Sequence, residues 1–531
     1  MPTTRVGTLL FIVLVVLLSA WRLWRSPSNA ADLEIGPDSI EYAVAADRFA
    51  THHGYNLLID GVTRPPRYPP WFSLGLLAPV LYFARGDLGA AILPVLVLAV
   101  LSVLAACAVG KRLAGEWGAA GAAVALLLNP AFARLSRVVM TEVPSLAFGL
   151  AGCWLYLRSW PAAPGPRGDK TEARPDEALL AGVLGAAGFA LRSECVAILL
   201  PFGWRIVARE RRPAASLAVL AFPSLLVALA TGWYNARTFS SWLRSGYHYW
   251  SPVPYDVPGL TFGLRYVPQN LARLVTAPRL AVLAVGALGA VVLFARGRNA
   301  VRGALSYLAL AALPGTLLHL VYFYPEARFH LFVLALASVV GGAGLGSLAD
   351  LAVRGRLWPI PLLLGLAAFL PPREPLPPPY RRITAETIAR ETPPDAVVVS
   401  GLDPVFLEPY LVREASRTII PASRSVEYAS KLVAPTRIGA IDPPPRGPTD
   451  HRAPGLLRAG AIDPCPVVAT ESRAKLVSLV REGRRVFIDA SFLPEDAPLG
   501  RLVDPSLFVV PNPRVPWLGE LRLRGQNETT R

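Results

Sequence analysis

What most constrains this chain is a succession of long apolar tracts, rich in Leu, Val and Ala, with arginine gathered in the gaps between them. A hydrocarbon core roughly 30 Å thick needs about 20 apolar residues, because each helical residue rises about 1.5 Å. Spans are expected at 8–24, 88–110, 115–133, 141–158, 178–191, 195–208, 213–231, 279–295, 303–321, 329–349 and 357–371. This pattern predicts a polytopic α-helical membrane protein with about 11 transmembrane helices plus interfacial helices. The composition agrees, at 53% hydrophobic and only 17% charged residues. The net charge of +16 then belongs to loops beside anionic lipid, so membrane lipids and no nucleic acid are the expected partners.

Parity decides the topology. The stretch "WFSLGLLAPVLYFA" at 71–84 is ambiguous, being short against the roughly 20 residues a straight span needs and containing Pro79. If it does not cross, Lys111/Arg112, the 158–174 loop, Arg209–Arg212, Arg296–Arg302 and Arg354/Arg356 all fall on one face. The positive-inside rule makes that face cytoplasmic and 71–84 an interfacial or re-entrant helix. "GTLLFIVLVVLLSAWRLW" after Arg5 reads as a retained anchor rather than a signal peptide, because tryptophans close it like an interfacial belt. The expectation is a multi-pass protein of the plasma (inner) membrane with a cytoplasmic N-terminus. Its first large loop, 25–87, and its C-terminal part lie outside.

Residues 1–371 form the expected membrane domain. "PPREPLPPPY" at 371–380 is a stiff linker, and 372–531 is expected as a separate extracytoplasmic domain. There "AVVVSG", "RTIIPAS" and "RVFIDAS" read as buried strands, while "SVEYASKLV" and "ESRAKLVSLVREG" have helical spacing, which makes a small α/β domain. No phosphate-binding glycine motif follows any of these strands. The four cysteines have neither disulfide nor zinc spacing. The sequence names no cofactor and leaves a divalent metal open.

The outer loop carries "GPDSIEYAVAADRFATHHG" at 36–54. Pro37 and the acids suit a helix start, and Asp38 and Glu41, three residues apart, share one face. "RYPP" at 67–70 opens the half-span. Other outward loops place Glu142 in "NPAFARLSRVVMTEVPSLAF", Arg192 in "FALRSECVAILLPF", aromatics in "YNARTFSSWLRSGYHYW" and Arg328 in "YPEARFHLFVLAL".

In this order the motifs, covering roughly residues 5–350, resemble the GT-C fold glycosyltransferases. More narrowly, they resemble bacterial relatives of protein O-mannosyltransferases and of the lipid A aminoarabinose transferase. There are departures: Ser39 follows Asp38 where many relatives have Glu, and Glu41 and Arg67 stand where the aminoarabinose transferases carry Arg and Lys. The resemblance implies a polyprenyl-phosphate-linked sugar donor, an acceptor glycan, lipid or protein, and Asp38 as the catalytic base, with Glu142 as a second acid.

The chemistry of such a transfer fits these residue types. A phosphate leaving group departs without a general acid, but its growing charge needs cations, and the acceptor hydroxyl needs a base. Arg67, Arg192 and Arg328 are expected to hold the donor phosphate, since guanidinium suits bidentate phosphate contact. Glu41, Tyr42, Tyr68, Tyr247 and Trp250 are expected around the sugar or acceptor. A single displacement would invert the sugar. The alternative reading is a transporter or flippase of lipid-linked glycans, against which the sequence sets the lack of an internal repeat and the clustering of polar residues at one face.

Overall fold

The computed structural model describes residues 38–59, 62–159, 175–210, 213–250, 258–296, 299–353, 380–400, 404–412, 417–421, 466–489 and 504–524, with 15, 17, 21 and 402. Its contacts divide the chain into two compact units: Met1–Ala30, Ala90–Leu243 and Pro258–Leu376 form one, and Ala31–Gly89, Arg244–Val257 and Pro377–Arg531 the other. The outer loop and the C-terminal part therefore share a unit.

The first unit is helical. Among the described residues five helical segments are long and apolar enough to cross a membrane: Leu88–Leu128, Pro213–Phe239, Ala277–Arg296, Val301–Leu320 and Ala327–Leu348. The first is two helices. Ala114 and Gly115 leave the helical region, and Gly115 has φ of 68°. The backbones of Gly110 and Gly118 touch, although eight residues of continuous helix would hold them about 12 Å apart. The chain therefore doubles back, as the expected 88–110 and 115–133 pair requires. The expected spans at 141–158, 178–191 and 195–208 appear as Glu142–Ser159, Pro175–Leu191 and a short 3₁₀ turn leading into Leu200–Arg209. None of these joins the five, so the described residues do not confirm the expected count of 11. The spans at 8–24 and 357–371 and the linker at 371–380 lie essentially outside the described residues.

Small residues knit this unit. In the helix Leu331–Val353, Gly342 and Gly346 lie backbone to backbone against Gly121 and Trp117, and Gly341 and Gly344 against the helix Ala277–Arg296. Apolar lipid offers helices little reason to associate beyond packing, so close backbone approach supplies the contact that side-chain burial supplies in water.

The second unit combines the outer loop with a mixed sheet. The helix Asp38–Ala50 is buried from Asp38 through Arg48. A hairpin of β1 (Leu57–Ile59) and β2 (Val62–Arg64) follows it. The half-span is a π-helical turn, Ser73–Leu77, running into Ala78–Phe83. Those eleven residues rise about 16 Å, too little to cross.

Farther on, β3 (Val397–Ser400), β4 (Thr418–Pro421), β5 (Val486–Asp489), β6 (Leu507–Pro511) and β7 (Leu518–Leu523) make a sheet of order β4-β3-β5-β7-β6. The three strands read from sequence are mutually parallel, and β6 and β7 add an antiparallel edge. Val397, Val399, Ile420, Val486 and Ile488 form its core with Leu476 of the helix Pro466–Arg481. The expected helix "SVEYASKLV" lies outside the described residues. A helix that the sequence reading missed, Pro404–Leu411, packs against Asp38–Ala50 and β1. There Arg48 Nη1 meets Glu408 Oε1 at 2.7 Å, with both side chains buried. Arg48 Nε also donates to Asn56 Oδ1 at 2.7 Å.

Candidate functional site

The residues singled out by sequence fall into two clusters, one in each unit. In the unit holding the outer loop, Asp38 and Glu41 lie one turn apart on a buried helix face, at 7% and 2% exposure. Both reach Arg67. Its Nη2 lies 3.1 Å from Asp38 Oδ1 and 3.0 Å from Glu41 Oε2, and its Nε lies 3.2 Å from the latter. The Arg67 backbone N–H also donates to Glu41 Oε1. Pro66, Pro69 and Pro70 bracket Arg67 and Tyr68, and proline's fixed φ stiffens the segment that presents them.

Aromatic rings close this cluster. Tyr42 stacks on Tyr68 at 4.2 Å between centroids, and Tyr247 meets Tyr68 edge-on at 5.4 Å. Gly246 makes the second contact feasible, since a Cβ there would strike the Arg67 and Pro66 backbone. Tyr55 donates from its hydroxyl to the Tyr68 carbonyl at 3.1 Å, and Ser73 to the Tyr42 carbonyl at 3.0 Å. The Trp250 side chain lies outside the described residues.

Burial controls the electrostatics. Desolvation pushes the Glu41 carboxyl up to about 7, against the opposing pull of Arg67. The carboxylates, together with ionisable Tyr68, hold the Arg67 guanidinium well above its ordinary value even though burial opposes its charge. Burial also raises the Tyr68 phenol well above its usual range. At neutral pH Glu41 therefore sits near its midpoint, and when it carries a proton Asp38 is the ionic partner of Arg67.

In the membrane unit, Glu142 opens a helix and Arg192 sits in extended backbone between two helices. Arg192 donates from Nη1 to Glu142 Oε1 at 2.7 Å and from Nε to Glu194 Oε1 at 2.5 Å. Arg328 Nε lies 3.7 Å from Glu142 Oε1. Both guanidinium carbons sit 5.3 Å from the Phe329 ring centroid. His319 Nε2 lies 3.2 Å from Glu194 Oε1, and its ring stacks on Phe329 at 4.8 Å. These residues line one small cavity, of about 40 Å³.

The structure thus joins Asp38, Glu41, Arg67, Tyr42, Tyr68 and Tyr247 in one cluster, and Glu142, Arg192 and Arg328 in another. All three arginines expected to hold phosphate have carboxylate partners. Glu194, two residues after Arg192 in the sequence, pairs with it across the bend. His319 was missed, although an ionisable ring inside the apolar run "LPGTLLHLVYFY" is the signal that could have found it. For a divalent metal the fit is poor. Asp38 and Glu41 converge on a guanidinium, and among the described residues no group of three or more His, Cys, Asp or Glu is placed to hold an ion.

This architecture has counterparts among solved structures. ArnT from Cupriavidus metallidurans bound to undecaprenyl phosphate is similar with a TM-score of 0.55 and 12% identity, over 98% of this chain and 98% of that one. The apo state of ArnT from the same organism gives a TM-score of 0.58 at 12% identity, over 97% and 98%. The fold is GT-C. The likeness extends over nearly the whole length of the chain. No family model and no curated protein matches the sequence.

Proposed function

We propose that this chain is a membrane glycosyltransferase that moves a sugar from a polyprenyl-phosphate donor to an acceptor hydroxyl on the extracytoplasmic face of the inner membrane. The observation that carries the reading is the buried pairing of Asp38 with Arg67, a carboxylate and a guanidinium presented by the outer loop. The fold adds support, because the ArnT structure that shares it holds undecaprenyl phosphate.

Asp38 takes the proton from the acceptor hydroxyl as that oxygen attacks the sugar's anomeric carbon. The bond to the phosphate breaks in the same step, the polyprenyl phosphate leaves as an anion, and the configuration inverts. Arg67 in the outer-loop unit, and Arg192 and Arg328 in the membrane unit, are cations of the kind that a departing phosphate needs. Each must loosen its hold on a carboxylate to make that contact. For Arg67 the loosening is inexpensive, because Glu41 accepts a proton near neutral pH. The aromatic group of Tyr42, Tyr68 and Tyr247 offers ring faces to the sugar or acceptor.

The test is transfer of labelled sugar from polyprenyl-phosphate donors to envelope extracts by the purified protein, with mass spectrometry of the products. Asp38→Asn should lower the rate by about 10²–10⁴-fold while the protein still folds and runs as a single species on size exclusion. Undiminished transfer by that variant would remove Asp38 from the role of base.

A further inference from the structure

The cavity in the membrane unit contains two buried acceptors that no donor among the described residues reaches. Glu142 Oε2 and His319 Nδ1 are both enclosed and, among the described residues, without a hydrogen-bond partner, and both residues line the same cavity. Their side chains are only 2% and 9% exposed. The tautomer of His319 follows from its other nitrogen. Glu194 Oε1 lies 3.2 Å from Nε2, and an ionised carboxylate only accepts, so Nε2 carries the hydrogen. In the neutral ring that leaves Nδ1 with a lone pair and no hydrogen. Stacking on Phe329 fixes the plane of the ring.

Buried polar atoms without partners are costly, so a site that retains two of them is matched to a ligand that supplies what they lack. Both atoms here are acceptors, so the missing group is a hydrogen-bond donor. A phosphate oxygen does not qualify, since it too accepts. An ammonium donates, but it would bring an uncompensated charge into a cluster whose two carboxylates already have guanidinium partners. A neutral hydroxyl satisfies every partner, because it donates to the carboxylate or the imidazole and can accept from a guanidinium. The charges of Glu142, Glu194, Arg192 and Arg328 cancel, which also suits a neutral polyol.

We propose that His319 Nδ1 and Glu142 Oε2 receive hydroxyl groups of the donor's sugar, with Glu194 as the positioning residue that holds the imidazole in its accepting tautomer. This rests on the reading of the protein as a transferase with a lipid-linked sugar donor. It adds that the sugar, rather than the phosphate alone, is recognised in this cavity.

The experiment measures binding to the full-length protein in nanodiscs. The probes are undecaprenyl phosphate, undecaprenyl phosphoglucose and its mannose and arabinose counterparts. At least one sugar-bearing lipid should bind more tightly than the bare phosphate. His319→Phe keeps the stacked ring and removes the acceptor; it should weaken that lipid by roughly threefold to tenfold, the worth of one neutral hydrogen bond. Binding of bare undecaprenyl phosphate should not change. His319→Gln, which can still donate to Glu194 and offers a carbonyl oxygen, should recover part of the loss. Equal effects of His319→Phe on both classes of lipid, or none on either, would overturn the proposal. If that variant does not fold, deoxy analogues of the preferred sugar lipid on the wild-type protein must show one hydroxyl carrying the same loss, and a flat series overturns it too. Wild-type protein that binds undecaprenyl phosphate with no preference for the sugar defeats this inference alone. Wild-type protein that binds none of the four lipids defeats the transferase reading with it.

Discussion

Glu41→Gln tests the electrostatics of the outer-loop cluster most directly. Glu41 is buried, and its carboxyl is displaced upward from 4.5 to about 7, chiefly by desolvation. Such a group holds its proton more tightly in the folded protein than in the unfolded chain. Between pH 4.5 and 7 the unfolded chain has released that proton while the folded protein keeps it, so stability falls as pH rises. At about 1.4 kcal/mol per pH unit, the full displacement costs about 3 kcal/mol of stability above pH 7 and nothing below pH 4.5. Glutamine has nearly the same shape, retains an oxygen for Arg67 and has no charge to desolvate. The variant should therefore melt at the same temperature as the wild type near pH 4.5 and progressively higher from there to pH 8. The assay is a set of thermal melts of both proteins in the same detergent across that range; subtracting the curves removes every other titrating group. A difference that stays flat with pH, or that grows toward acid, would refute the reasoning that desolvation outweighs Arg67 at this site.

Two further predictions concern packing. Arg48→Met should cost about 3–5 kcal/mol, because it strands Glu408 in a buried setting; the reversed pair, R48E with E408R, should restore part of it, as read by melting temperature. Gly342→Val should cost more than the roughly 1–3 kcal/mol of ordinary overpacking, because its Cβ would meet the Gly121 backbone, which cannot rotate away. Gly75→Ala, where an added Cβ meets nothing, serves as the tolerated control, with monodispersity on size exclusion as the readout for both.

Much of the helical plan is written locally. Apolar tracts at 213–231, 279–295, 303–321 and 329–349 became helices near their expected bounds, because a span carries its own hydrogen bonds and its own hydrophobicity. The half-span at 71–84 was readable from its short length together with the parity of the arginine-rich loops. The strands at β3, β4 and β5 showed as continuous β-branched runs, which is how parallel strands buried on both faces read. By contrast β7 carries Gly519, Glu520 and Arg522 and gave no such signal, whereas β6 holds the apolar run Leu507–Val510, which the sequence reading passed over.

The sequence by itself determined that Asp38 and Glu41 share a helix face, because three residues of helix put them there whatever surrounds them. It could not determine that Arg67 answers both, nor that Glu408, 360 residues from Arg48 along the chain, would hold the far end of the same helix. It also could not show that Glu142 would be a partner of Arg192, nor that His319 would sit behind Glu194. Those pairings depend on which side chains are taken out of water together. Desolvation is a property of the assembled surroundings, and no residue's own neighbours in sequence can report it.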